Sequence, residues 1–238
     1  AGTYPESIVF PDHNLVVRGS GAGSTILGGD TTVITFPTTG DPYISILEDM
    51  TVNVAASQKG FLASDDYLPP FNRILFILGA DAMAGKLTSG ANATMNQVSV
   101  VTSTNSENMH SFTLDNASIT INNSILWTGA NTEISIANGG VATVAYSIVS
   151  DSSYVTGGTI IGVDPLFMDA QGGDYSLTWV SPAIDAGNPL GYDPDGTIAD
   201  MGALPYNQSI QPPDIPGTVV ATAGNGQATV TWSVPLDP

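Results

Sequence analysis

The sequence predicts an all-β protein, a parallel β-helix (a solenoid) followed by a β-hairpin. Three observations predict it. The apolar runs are only three to five residues long, Gly, Asn, Asp and Ser separate them, and helical periodicity is almost missing. Regular short strands fit either a sandwich or a solenoid. The close, uniform spacing of the runs at 119–121, 134–136 and 144–146 favours single-strand rungs joined by short turns.

Composition bounds the partners. The 238 residues carry 22 acidic and 4 basic side chains, a formal net charge of -18. Charged residues make up 11% of the chain, against roughly a quarter in an ordinary domain. A hydrophobic share of 42% and a mean hydropathy of +0.15 place the chain among folded proteins. Four cations cannot build the basic stripe that neutralises phosphates, so nucleic acid is not an expected partner. An anionic bilayer surface repels such a chain, and no apolar run reaches the roughly 18 residues of a span, so membrane insertion is not expected. Cys is absent, which removes disulfides and thiolate metal sites. The chain starts at Ala1 without Met, as a processed or trimmed N-terminus would. An acidic, Lys-poor, Cys-free chain rich in Gly, Ser, Thr and Asn fits a secreted or surface protein of a microbe.

In chain order, the strand-length runs are 15–17, 32–34, 44–46, 52–54, 74–77, 98–100, 119–121, 134–136 and 144–146. The residues between them accept the backbone angles of tight turns. In such a coil, Val and Ile ladders fill the core. Asn122 and Asn123 read either as a turn with stacked amides or as a plain loop. Residues 65–71 read as an excursion, because Pro69 and Pro70 remove two ladder donors. Residues 80–86 read as one short helical turn or a loop. Excursions of this kind often form the binding face of a solenoid. Residues 210–217, with Pro212, Pro213 and Pro216, read as a stiff linker. Beyond it, alternating runs flank Gly224-Asn225-Gly226, a hairpin signature, and a lone hairpin is marginal in water. The expected organisation is a β-helix over 1–209 with a closing segment at 164–206, a linker over 210–217, and a further partial domain over 218–238.

Three segments carry a resemblance. Ala1-Gly2-Thr3-Tyr4-Pro5-Glu6-Ser7-Ile8, then Leu15-Val16-Val17-Arg18-Gly19-Ser20-Gly21 and Ser24-Thr25-Ile26-Leu27, resembles the opening coil of right-handed parallel β-helix proteins such as pectinesterases and polysaccharide lyases. Asn123-Ser124-Ile125-Leu126-Trp127, Tyr146-Ser147-Ile148-Val149 and Asp164-Pro165-Leu166-Phe167 resemble the last coils of bacterial secreted β-helix proteins. That likeness continues through Gly173-Asp174-Tyr175, Ser181-Pro182-Ala183-Ile184-Asp185-Ala186-Gly187, Asp195-Gly196-Thr197 and Asp200-Met201-Gly202-Ala203. The tail from Pro216 looks like the first two strands of a fibronectin type III domain. The resemblance implies a right-handed coil and a piece of a larger multidomain surface or secreted protein. It leaves the stretch from Asp30 to Asp115 to composition alone.

Motifs for chemistry are sparse. The pectinesterase pattern of paired aspartates with neighbouring glutamines is not found in the middle coils, where Asp115 stands without a partner. A polysaccharide lyase needs a base and a cation to acidify a sugar proton. The available cations are Arg18, Lys59, Arg73 and Lys86, with Arg18 expected as a solvated outward residue and both lysines expected beside loops. His13 and His110 lie far apart and without metal spacing. Asp193, Asp195 and Asp200 surround a Gly turn and offer hard oxygens for calcium, although the EF-hand spacing fails. The alternative reading is a turn whose aspartates cap their own backbone. Trp127, Tyr146, Tyr175 and Trp179 are candidates for stacking on sugar, with core packing as the alternative, and Trp232 matches a packing position of fibronectin strands. Asn92, Asn116, Asn122 and Asn207 each begin a glycosylation triplet.

Two functions follow. The first is a non-catalytic extracellular or cell-surface structural and adhesive module, self-assembling and glycan-contacting, with itself, neighbouring surface proteins or polysaccharide as partners and calcium as the cofactor. The second is a carbohydrate-active enzyme, a lyase or hydrolase of an extracellular polysaccharide.

Overall fold

The computed structural model describes residues 1–10, 15–29, 31–36, 46–64, 68–102, 109–130, 132–150, 153–209 and 217–233. Among them there is no helix, and hence none long and apolar enough to cross a membrane. Two compact units emerge, residues 1–206 and 207–238.

The first unit is a parallel β-solenoid of about five turns. Its coils run through three faces. The first face stacks Gly2–Tyr4, Thr25–Gly28, the later part of Ile46–Val54, the later part of Phe71–Leu78, Ser99–Thr102, Ile125–Trp127, Ile148–Val149 and Ile160–Ile161. The second stacks Ile8–Val9, Thr32–Thr35, Lys59–Ser64, Met83–Thr88, Phe112–Asp115 and Ile134–Ala137. The third stacks Val16–Arg18, the opening residues of Ile46–Val54 and of Phe71–Leu78, then Asn92–Asn96, Ser118–Asn122 and Val141–Ala145.

Register explains the core. Leu27, Val52, Phe76, Val100, Leu126 and Val149 pair successively down the first face, at intervals of 25, 24, 24, 26 and 23 residues. All six are buried, and each contributes about 1.5–3 kcal/mol of apolar burial. Phe61 lies at the centre of an aromatic cluster, 4.8 Å from Phe71 and 6.2–6.3 Å from Phe36, Phe76 and Phe112 between ring centroids. A Cβ at Gly85, one coil on, would lie 2.1 Å from the Phe61 ring. Gly85 therefore leaves room for the ring, and 80–86 is corrected in part: 80–82 is a turn, but Met83–Thr88 is a strand of the second face. Lys59 opens its strand directly after the turn at 55–58, beside a loop as expected, whereas Lys86 sits within a strand. Of the expected excursion, residues 65–67 lie outside the described residues, while Leu68 and Phe71 turn into the core.

Each coil bends at a residue in the left-handed region. Between the third and first faces stand Asp49, Arg73, Gln97, Asn123 and Tyr146, with φ of 60°, 51°, 51°, 49° and 49°. Ser89, Asn116 and Asn138 form a second such column between the second and third faces. Asn tolerates this conformation, and Arg and Tyr adopt it at a cost of about 1–2 kcal/mol that the ladders on either side offset. The amide expectation at residues 122–123 is met with an offset: Asn123 Nδ2 donates to Asn96 Oδ1 at 2.8 Å, one coil away. Tyr146 lays its ring where a Cβ of Gly158 would stand.

The segment 164–206 lies along the outside of the first face. Its Phe167–Asp169 and Asp174–Leu177 form a short antiparallel pair. Tyr175 and Ala203 pack on Leu75 and Val101, and Leu177, Ala183 and Met201 pack on Ile125 and Ile148. The outward residues Leu75, Val101, Ile125 and Ile148 are apolar because this segment covers them.

In the second unit, Gly217–Ala223 pairs antiparallel with Ala228–Ser233, and Gly224 N–H donates to the Gln227 carbonyl at 2.7 Å. These are two short strands, with Trp232 64% exposed.

Candidate functional site

The outward residues of the first face form two columns. One runs Thr3, Ile26, Thr51, Leu75, Ser99, Ile125, Ile148 and Ile160. The other runs Gly28, Asn53, Ile77, Val101 and Trp127. The segment 164–206 covers much of both columns from Leu75 and Val101 onward. The earlier coils are left as a groove of about 600 Å³, open to solvent, within the range of ligand sites. Its floor and walls include Thr3, Ile26, Gly28, Asn53, Ile77 and Gly79. It crosses four successive coils, about 14 Å at one strand spacing per step. No titratable side chain lines it among the described residues.

Gly28 is the unusual member. Its φ is not positive, and a Cβ there would meet nothing nearer than 3.7 Å. Gly85 is required by a neighbouring ring, but neither backbone nor packing requires glycine at 28. Its effect is to leave the floor of the groove empty beside Asn53, its partner in register.

The carboxylates singled out from sequence are engaged elsewhere. Asp193 is buried: Oδ1 accepts from Gln97 Nε2 at 2.6 Å, and Oδ2 from the Asp200 N–H at 2.6 Å. Asp200, fully buried, accepts the Asp185 N–H at 2.8 Å on Oδ1 and the Tyr206 N–H at 2.6 Å on Oδ2. Asp195 Oδ1 accepts from the N–H and the hydroxyl of Thr197, at 3.1 and 2.7 Å. These bonds hold the turns of the closing segment, as the capping alternative has it, and no three His, Cys, Asp or Glu groups converge as a metal site among the described residues. Burial raises the Asp193 carboxyl above its ordinary range and pushes that of Asp200 up to about 6.

A further carboxylate escaped sequence reading. Glu133 is buried, accepting from Ser111 Oγ at 2.5 Å, from the N–H and hydroxyl of Thr128 at 3.0 Å each, and from Ser150 Oγ at 3.1 Å. Burial again raises its pKa. Only the hydroxyl-rich surroundings, 17 to 22 residues away in sequence for Ser150 and Ser111, mark it.

Two of the four cations converge. Arg18 pairs with Glu48 at 2.5 Å. Arg73 grips Asp49 through Nε at 2.5 Å and through a terminal nitrogen at 2.9 Å, and reaches Glu48 at 3.3 Å. Arg18 is outward as expected, but it is ion-paired. A cavity of about 270 Å³ lies beside it, between Tyr4 and Met50. His110 Nδ1 lies 2.7 Å from the Thr132 carbonyl, and His13 falls outside the described residues. Tyr175 is buried, Trp127 and Tyr146 are half-buried, and Trp179 is 69% exposed. Core packing therefore accounts for Tyr175 and not for Trp179. Tyr192, 70% exposed beside Leu190, is a second surface aromatic that sequence reading missed. The triplet residues Asn92, Asn116 and Asn207 are exposed and Asn122 is half-buried.

No protein-family model, curated protein or solved structure matches this chain.

Proposed function

We propose that this chain is a non-catalytic structural and adhesive module of an extracellular or cell-surface protein. The observation that carries the reading is the contrast between its groove and its carboxylates. The groove is lined without an acid, base or nucleophile among the described residues, while Asp193, Asp200 and Glu133 are held by N–H and O–H donors inside the fold. A stiff stack of backbone ladders with an uncharged outer groove suits a scaffold that touches glycans. The acidic, Cys-free composition supports an extracellular setting. On this reading the coil is right-handed, belongs with secreted bacterial β-helix proteins, and leads into a fibronectin type III-like domain of which the hairpin is the start. Self-association through strand edges completes the proposal, with calcium at the Asp193–Asp200 turns as its optional ligand.

Light scattering and negative-stain microscopy, with and without EDTA, test it. Ordered assemblies are the expected result, and their loss in EDTA adds calcium as the link. A monomer in both conditions overturns self-association. The enzyme alternative draws its one specific support from Arg18 and Arg73 meeting at Glu48. New reducing ends or unsaturated products from any acidic or neutral glycan would replace the non-catalytic reading with it.

A further inference from the structure

We infer that the groove on the outer first face binds an uncharged polysaccharide, with Gly28 as the space that admits it. The inference rests on the glycan-contacting part of the proposed function and narrows it to one ligand class and one place.

Four features lead there. First, charge selects against acidic polymers: the chain has a formal net charge of -18, and Arg18 and Arg73 are already paired with Glu48 and Asp49. Lys59 and Lys86 stand on strands of the second face. An anionic chain approaching the groove meets repulsion and no free guanidinium among its described lining. Second, the floor is the face of a sheet, not its edge. The backbone groups of Thr25–Gly28 and of the strands beside it are used in ladders, so an extended peptide finds no row of unpaired partners for strand addition.

Third, the surface has the mixed character of a pyranose. Ile26 and Ile77 offer apolar contact to C–H faces, and the exposed Thr3 hydroxyl and Asn53 amide offer donors and acceptors to hydroxyls. Fourth, the groove runs along the stack for about 14 Å, room for a short run of sugar rings. Gly28 sits at mid-length, where any larger side chain would stand in the path and where nothing in the fold demands glycine.

Gly28→Leu is the decisive variant, because it enters the groove from a backbone that is not left-handed and from a Cβ position with nothing nearer than 3.7 Å. Asn53→Ala is the second, removing an exposed amide. Isothermal titration and affinity electrophoresis would use soluble neutral probes (cellohexaose, xylohexaose, mannohexaose) and acidic ones (oligogalacturonate, oligoalginate), with thermal unfolding as the control for folding. The expected result is binding of at least one neutral probe, at least tenfold weaker in Gly28→Leu and several-fold weaker in Asn53→Ala, with unfolding midpoints unchanged. Neutral binding unaffected by Gly28→Leu overturns the placement. Preferred binding of the acidic probes, lost in Gly28→Leu, overturns the ligand class while leaving an adhesive role intact. Binding of no probe overturns the inference, and the assembly measurement above then judges the structural reading on its own.

Discussion

Gln97 donates its side-chain amide to Asp193 across 96 residues of sequence, at 2.6 Å, with both residues buried. Gln97 is a corner of the coil and Asp193 a turn of the covering segment, so this bond fastens one to the other. Asn123, the next corner, makes the companion contacts: its Oδ1 accepts the Asn188 N–H at 2.7 Å and its carbonyl accepts the Gly202 N–H at 2.8 Å.

Asp193→Ala removes the acceptor from both Gln97 and the Asp200 N–H. Each buried donor left unpaired costs about 1–3 kcal/mol, so the variant should lose about 2–6 kcal/mol in all. Thermal or urea unfolding followed by circular dichroism reads the loss. A midpoint equal to that of the parent would show that the bond contributes nothing.

Mild acid should stabilise the fold. Burial pushes the Asp200 carboxyl up to about 6, well above its unfolded range, and raises Asp193 and Glu133 in the same direction. The native state therefore holds a proton that the unfolded chain releases. Stability rises as pH falls through about 6 and levels off below the ordinary aspartate range. Unfolding midpoints should climb between pH 7.5 and 5, and Asp200→Asn should flatten much of that slope.

Gly202→Ala should loosen the covering segment. The residue has φ of 104°, and its Cβ would fall 2.8 Å from Ile125 Cδ1 and 2.9 Å from Ser99 Oγ. Backbone strain of about 1–3 kcal/mol adds to the clash. Limited proteolysis should cut within 164–206 sooner than in the parent, with Trp127, which packs against this cluster, shifting its fluorescence to the red. Equal cutting rates would mean that the segment tolerates the methyl group.

Calcium removal should dissolve assemblies and leave the monomer's unfolding midpoint unchanged, because N–H and amide donors already hold the oxygens of Asp193 and Asp200 within one chain and the proposed cation links chains. A monomer midpoint that rises with calcium in the parent and not in Asp195→Ala would make the cation a stabiliser of the single chain instead.

The sequence made much of this visible. Short Val and Ile runs marked strands in all three faces, and Asn122-Asn123 marked a corner. Three things stayed hidden for physical reasons. Met83–Thr88 contains Ala and Gly, weak strand formers, and becomes a strand because Gly85 accommodates Phe61 from the previous coil. The repeat was masked because the inward column shares bulk rather than identity: Leu27, Val52 and Phe76 are equivalent in space. The groove depends on an absent side chain at Gly28, and glycine in a chain with 26 of them carries no local signal. The acidic turn was legible as a constellation with its local caps, but the partner that ties it to the solenoid, Gln97, comes from a distant coil.

The strap across the first face also acts as a gauge of length. A solenoid built from equivalent coils has no internal reason to stop at a given number, and one extra coil of about two dozen residues could be spliced in at any corner without offending its neighbours. The strap removes that freedom where it lies, because its own turns are spaced to meet Gln97, Ser99 and Asn123 in adjacent coils. Coil duplications are therefore accommodated before Arg73 and rejected between Gln97 and Tyr146, so lineage-to-lineage variation in height should accumulate at the uncovered end.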